Sequence, residues 1–170
     1  ESHAARFAQL AWTSSWLKHH HPTAFTAALL NAQPMGFYPP SQLVQDAQRH
    51  GARILPVDVT ASTWDCTLEP APLPTGPASP PGLPGCEKDP VALRLGMREI
   101  RGLSQELATR IVAARGEAPF RDVADLACRA RVTGSERARL ADAGALQSLS
   151  GHRHRARWDS AGAELPLPVL

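Results

Sequence analysis

A chain of 170 residues, 43% of them hydrophobic, is long enough for one domain or two small ones and apolar enough to bury a core. Only 5% are aromatic, so aliphatic side chains must supply most of that core, and a net charge of +2 by itself selects no partner. No apolar run approaches a bilayer span, no signal peptide precedes the first amphipathic segment, and Cys66, Cys86 and Cys128 form no CxxC pair. A membrane anchor, a disulfide framework and a zinc knuckle are therefore not expected, and a reducing cytoplasm is the expected compartment.

The chain opens on Glu1, with Ser2 placed as an N-cap. Phe7, Leu10, Ala11 and Leu17 recur at helical spacing, which predicts an amphipathic helix over 3–19. Trp12 and Trp16, four apart, give it a second apolar stripe, so it has two faces to bury. His19-His20-His21-Pro22 ends it, and Pro22 opens a second helix in which Phe25, Ala28, Leu29 and Ala32 form one face. After the turn-rich Gln33–Pro40, Ser41 is expected to cap a third helix with Leu43, Val44 and Ala47 inward and Gly51 as its stop. Arg53–Val57 and Trp64–Leu68 read as short strands. Composition then shifts: Pro70–Pro90 holds eight of the sixteen prolines and three glycines, a linker or loose surface loop.

Beyond it, Val91, Leu93 and Leu95 alternate with Ala92 and Arg94, predicting a half-buried strand that stops at Gly96. Met97–Ile100 forms a helical turn, and Ser104 caps a helix with Leu107, Ile111 and Val112 on its apolar face, ended by Gly116 and Pro119. Asp122 caps another helix, through Val123, Leu126 and Ala127. Ser135–Ala143 is a further one, closed by Gly144, and Ser150–Ala161 is expected to be the last. The tail from Glu164 is expected to fray.

Charge is distributed unevenly. Residues 1–90 carry five Lys/Arg against seven Asp/Glu, whereas residues 91–170 carry thirteen against nine, and all thirteen cations there are arginine. Arginine forks onto phosphate better than lysine does, although a chain with two lysines in all also fits an arginine-preferring genome.

Within that basic half, Ile100-Arg101-Gly102-Leu103-Ser104 is a glycine-centred turn between two helical segments. Gly102 permits a backbone conformation that a Cβ would penalise, and the amides of 102–105 lie at a helix N-terminus, where unpaired N–H groups and the helix dipole favour an anion. Arg98, Arg101 and Arg110 can add charge. The candidate DNA-binding residues are thus Arg98, Arg101, Gly102, Leu103, Ser104, Gln105 and Arg110; an ordinary helical corner fits the same residues. Leu140–Leu146 echoes the pattern, but with Asp142 where phosphate would approach it reads as a structural partner of the first hairpin. His152-Arg153-His154-Arg155 reads equally as a backbone-tracking cluster or a solvated face. His19–His21 are consecutive and lack acidic or Cys ligands at helical spacing, so no metal site is expected. No paired acids, nucleophile motif or Walker loop is present, and no catalytic residue is assigned.

Glu1-Ser2-His3-Ala4-Ala5-Arg6-Phe7-Ala8, Trp16-Leu17-Lys18 and the run from His21-Pro22 to Leu29-Leu30-Asn31 resemble the end of the fingers domain of C-family bacterial replicative DNA polymerases. Gln33-Pro34-Met35-Gly36-Phe37-Tyr38 narrows the resemblance to their error-prone, damage-inducible branch. Pro56-Val57-Asp58-Val59, Trp64-Asp65-Cys66, Leu93-Arg94-Leu95-Gly96, Arg101-Gly102-Leu103 and Pro119-Phe120 continue it, to about Gly162. The resemblance implies a mainly α fold with a few short strands: C-terminal fingers over 1–69, a proline-rich linker over 70–90, a tandem helix-hairpin-helix module over 91–162 and a tail over 163–170. It implies that Ser2 and His3 lie near the triphosphate of an incoming nucleotide. Ser104 stands where the family's hairpin often has a second glycine, a departure that bears on one amide–phosphate contact and leaves the site in place.

The resemblance also implies that the catalytic aspartates and their Mg2+ belong to a palm upstream of Glu1. This segment is then expected to be inactive alone and to bind no cofactor. Its implied partners are duplex primer-template DNA, the rest of the polymerase, the sliding clamp and translesion accessory proteins, with no membrane. The alternative is a free-standing helix-hairpin-helix DNA-binding or scaffold protein without polymerase activity.

Overall fold

A computed structural model of the chain describes residues 2–36, 38–71 and 91–150. The fold is mainly α with a small sheet, and it divides into two compact units. One is drawn from Glu1–Leu55 and Leu68–Arg94, the other from Pro56–Thr67 and Leu95–Leu170.

The first unit holds α1 (Ser2–His20), α2 (Pro22–Asn31) and α3 (Pro40–Arg49) with a three-stranded sheet of β1 (Arg53–Leu55), β2 (Thr67–Pro70) and β3 (Val91–Arg94). The sheet order is β1-β3-β2, and β1 runs parallel to β3 with Ile54 opposite Leu93. Because β3 is central, Ala92 and Leu93 are both fully buried although they point to opposite faces. The expected alternation therefore fails there, since a strand covered on both sides reads as a continuous apolar run. Leu95 falls outside the strand altogether. Pro56 ends β1 two residues before the expected limit. Residues 64–66 do not form a strand, because the carbonyls of Thr63 and Trp64 accept the amides of Met97 and Arg98 at 2.8 and 3.1 Å instead of ladder bonds.

The inward face of α2 is Thr23, Thr26, Ala27 and Leu30, rotated from the expected Phe25/Ala28/Leu29/Ala32 face. Thr26 can be buried because its hydroxyl donates to the Pro22 carbonyl at 2.8 Å. Helix α3 starts at Pro40 behind Pro39, so Ser41 lies inside the first turn and does not cap it; a proline preset for helical φ takes the N1 place. Gly51, at φ +86°, stops α3 as expected. In α1 nothing is buried: Phe7, Leu10, Trp12, Trp16 and Leu17 are all exposed. Lys18 near its end pairs with Asp46 of α3 at 2.7 Å, and that hydrogen bond holds the Asp46 carboxyl below the usual carboxylate range.

The second unit contains a 3-10 turn (Met97–Glu99), α4 (Gln105–Glu117), α5 (Val123–Arg129), α6 (Gly134–Asp142) and α7 (Gln147–Ser150). Its core is aliphatic, as the composition required. Val59, Met97, Leu107, Ile111, Leu126, Val132, Leu140 and Leu146 are fully buried, with Phe120 as the one buried aromatic ring among the described residues. Each helix start has a side-chain cap where a polar residue stands: Ser104 for α4, Asp122 for α5 and a reciprocal Thr133–Glu136 capping box for α6. Helix α4 runs through Gly116 to Glu117, and α6 begins one residue before the expected Ser135. The expected helix from Ser150, the tail, and most of the proline-rich stretch lie outside the described residues.

Gly96 joins the two segments of the second unit. Its amide donates to the Cys66 Sγ at 3.3 Å, and a Cβ there would lie 2.4 Å from the Trp64 oxygen and the Asp65 carbonyl carbon. Burial pushes the Cys66 thiol above its ordinary pKa.

Candidate nucleic-acid interface

The hairpin is fixed from inside by its apolar residues. Ile100 and Leu103, on either side of the turn, are buried, and the Leu103 amide closes it by donating to the Ile100 carbonyl at 3.1 Å. This leaves Arg101 and Gly102 exposed at the tip, with Gly102 at φ +77°, a conformation a Cβ-bearing residue pays to adopt. Ser104 then accepts the Leu107 amide at 3.2 Å as the cap of α4. Of the amides singled out by the sequence, Leu103's is therefore spent in the turn. Those of Gly102, Ser104 and Gln105 have no backbone acceptor among the described residues. Gln105 is exposed at the first position of α4. These open donors at a helix start make an anion-accepting surface.

The candidate arginines are placed differently from one another. Arg101 is exposed beside the open amides. Arg98 is paired with Asp65 at 2.8 Å. Arg110 does not turn toward the hairpin: its Nε donates to the Ala130 carbonyl at 3.0 Å, and its guanidinium lies 3.9 Å from the Glu136 carboxylate. Arg115 donates to the carbonyls of Val59 and Ser62 at 3.0 and 2.9 Å, and Arg129 donates to Ala114 and Ala118, covering the last carbonyls of α4. Much of the arginine excess thus holds the unit together, while Arg101, Arg121 and Arg131 remain exposed.

A residue the sequence did not single out stands next to the turn. Arg139 of α6 donates to the Gly102 carbonyl at 2.5 Å, and its Cζ is 3.3 Å from where a Gly102 Cβ would be. Its partner is 37 residues away, and no local pattern marks it.

The second glycine turn is built alike but is closed. Gly144 has φ +73°, and its amide and that of Ala145 donate to Ala141 and Leu140, both at 2.9 Å, while Gln147 donates to the Gly144 carbonyl at 3.3 Å. The Gln147 side chain comes within 3.1 Å of the Gly144 Cβ position, and Leu140, Ala141, Ala145 and Leu146 belong to the same core as Ile100 and Leu103.

Glu99, just before the hairpin, has its carboxyl pushed above the ordinary value by burial, only partly offset by Arg98. Ser2 and His3 lie in the first unit, exposed at the start of α1, with the His3 ring edge-on to Phe7 at 4.5 Å. Among the described residues no group of three or more His, Cys, Asp or Glu could hold a metal ion, and no helix is long and apolar enough to cross a membrane.

A buried pair of apolar anchors, a left-handed glycine and a capped helix define the helix-hairpin-helix class. Residues 51–156 match the helix-hairpin-helix motif family, and this chain belongs to it. Along 99% of its length it is 52% identical to an error-prone DNA polymerase of Methylococcus capsulatus. It is 53% identical along 100% of its length to one from Pseudomonas fluorescens, and 54% along 95% to one from Azoarcus sp.. The chain spans only 16%, 16% and 14% of the lengths of these relatives. The resemblance carried by the sequence motifs is thus found again across nearly the whole chain.

Proposed function

We propose that this chain is the part of an error-prone DNA polymerase that holds duplex primer-template DNA by its phosphates. The observation that carries the reading is the Gly102 hairpin, whose amides at 102, 104 and 105 stand open beside Arg101 at the start of a thirteen-residue helix. Such contacts fix position on the duplex and carry no sequence information, so binding is non-specific and falls with salt. On this reading residues 1–69 are the C-terminal fingers, with Ser2 and His3 near the incoming triphosphate, and 91–162 grip the duplex. Nucleotidyl transfer, with its Mg2+, belongs to a palm in the longer protein; this segment supplies positioning and no chemistry. Translesion synthesis in the cytoplasm, with the sliding clamp and accessory proteins as partners, is the corresponding role of the whole.

The test is a duplex titration at low and moderate salt with wild-type chain and an Arg98→Ala/Arg101→Ala variant. Arg98 is ion-paired, so Arg101→Ala alone should account for most of the loss and should flatten the salt dependence. Equal affinities for all three proteins would overturn the reading.

A further inference from the structure

We infer that Arg139 is a positioning and phosphate-binding residue of the first hairpin, supplied to it by the second motif. The inference rests on the hairpin reading above and deepens it. Among the open donors of the turn, the Gly102 carbonyl is an exposed acceptor, and its negative end would oppose an arriving phosphate. Arg139 removes that opposition by donating to it. A guanidinium has five N–H donors, and this bond is the single hydrogen bond of the Arg139 side chain among the described residues. The remaining donors belong to an exposed side chain that touches the hairpin tip. A planar fork with one tine on a carbonyl keeps an edge for a phosphate oxygen, a geometry a lysine cannot reproduce.

The closed state of the second turn gives the same answer from the other side. The amides of Gly144, Ala145 and Gln147 donate to the carbonyls of Ala141, Leu140 and Gly144, the Gln147 side chain fills the space in front of Gly144, and Asp142 adds negative charge nearby. The second motif therefore contributes a side chain and not a hairpin. The module is asymmetric: one open turn, with its charge reinforced by a helix of the other repeat.

The experiment measures binding of the full chain to a short fluorescent duplex by anisotropy at several salt concentrations, for wild type, Arg139→Ala, Arg139→Lys and Gln147→Ala. Arg139→Ala should weaken binding about tenfold and reduce the slope of log affinity against log salt by about 0.9, the value for one lost phosphate contact. Arg139→Lys should restore the slope but only part of the affinity, and Gln147→Ala should leave both unchanged. If Arg139→Ala loses affinity with an unaltered slope, the residue only braces the turn and the inference fails; it fails equally if Arg139→Ala binds like wild type. Should Arg139→Ala melt early, Arg139→Lys decides: a wild-type slope with lowered affinity supports the inference, and wild-type affinity refutes it. A wild-type chain that binds no duplex refutes the hairpin reading itself. Loss in Arg101→Ala without loss in Arg139→Ala refutes only this inference.

Discussion

Among the described glycines, Gly96 is the one at which an added Cβ collides with backbone, so its replacement by alanine should be severe. The backbone at Gly96 has φ −79°, open to any residue, so the cost is one of space and not of conformation. The added carbon would sit 2.4 Å from the Trp64 oxygen and the Asp65 carbonyl carbon and 2.7 Å from the Asp65 oxygen, against the ~3.5–4 Å at which such atoms rest. All three are backbone, so relief requires separating residues 96–98 from 63–65 and stretching the Met97–Thr63 and Arg98–Trp64 hydrogen bonds. Overpacking costs ~1–3 kcal/mol and two weakened bonds ~1 kcal/mol each, which together make about 3–5 kcal/mol. For a unit of this size each kcal/mol lowers Tm by roughly 4–8 °C, so a fall of more than about 12 °C is expected in a thermal melt followed by circular dichroism. Gly116→Ala is the control. Its Cβ meets nothing, and one residue before the end of α4 the exchange should be neutral or gain at most ~0.5 kcal/mol. A Gly96→Ala melt within about 3 °C of wild type would refute the packing argument.

Three further perturbations have definite signs. Ser104→Ala removes the cap of α4 and should cost ~1 kcal/mol, read as a Tm lower by roughly 4–8 °C; an unchanged melt would mean that the Leu107 amide is served equally well by water. Glu99 has its pKa raised by burial, so its charged form is disfavoured in the folded state, and stability is lost as pH rises from the ordinary carboxylate value through the raised one. Glu99→Gln should then be more stable than wild type at neutral pH, with the gap closing in acid, and a gap that widened on acidification would contradict this. Arg137 is 7% exposed, and its Nε has no hydrogen-bond partner among the described residues; an Arg137→Met chain should be more stable by on the order of 1 kcal/mol and melt higher, whereas a lower Tm would show that the guanidinium is well served where it lies.

What could be read from the sequence is what local chemistry decides. Ser104 and Asp122 were legible as caps because the amide each accepts is three residues away, and Gly51, Gly102 and Gly144 as turns because each needs a positive φ. The face of α2 was not legible: a buried threonine looks polar in a hydropathy pattern, and its bond to the carbonyl four residues back is invisible there. Nor was the position of β3 between two neighbours, which removed its alternation. Gly96 reads as a strand stop, although its reason is the backbone of Asp65, thirty-one positions earlier in the chain. The candidate site divided in the same way. The hairpin was visible in five consecutive residues, whereas Arg139 and the engagement of Arg110 with Ala130 depend on partners 37 and 20 residues distant.

Asp58 accepts hydrogen bonds from the Thr60 amide at 2.8 Å and from the Ser148 hydroxyl at 2.7 Å, across 90 residues of chain. Val59 donates to the carbonyl of Ala145, and Arg115 holds Val59 and Ser62 from the side. The segment around Asp58 can therefore gain these partners only once α7 has been made, and such long-range closure is slow. A fragment cut to begin at Val91 would have every residue of the hairpin and would lack the strap that fastens α7. It should open from that end first.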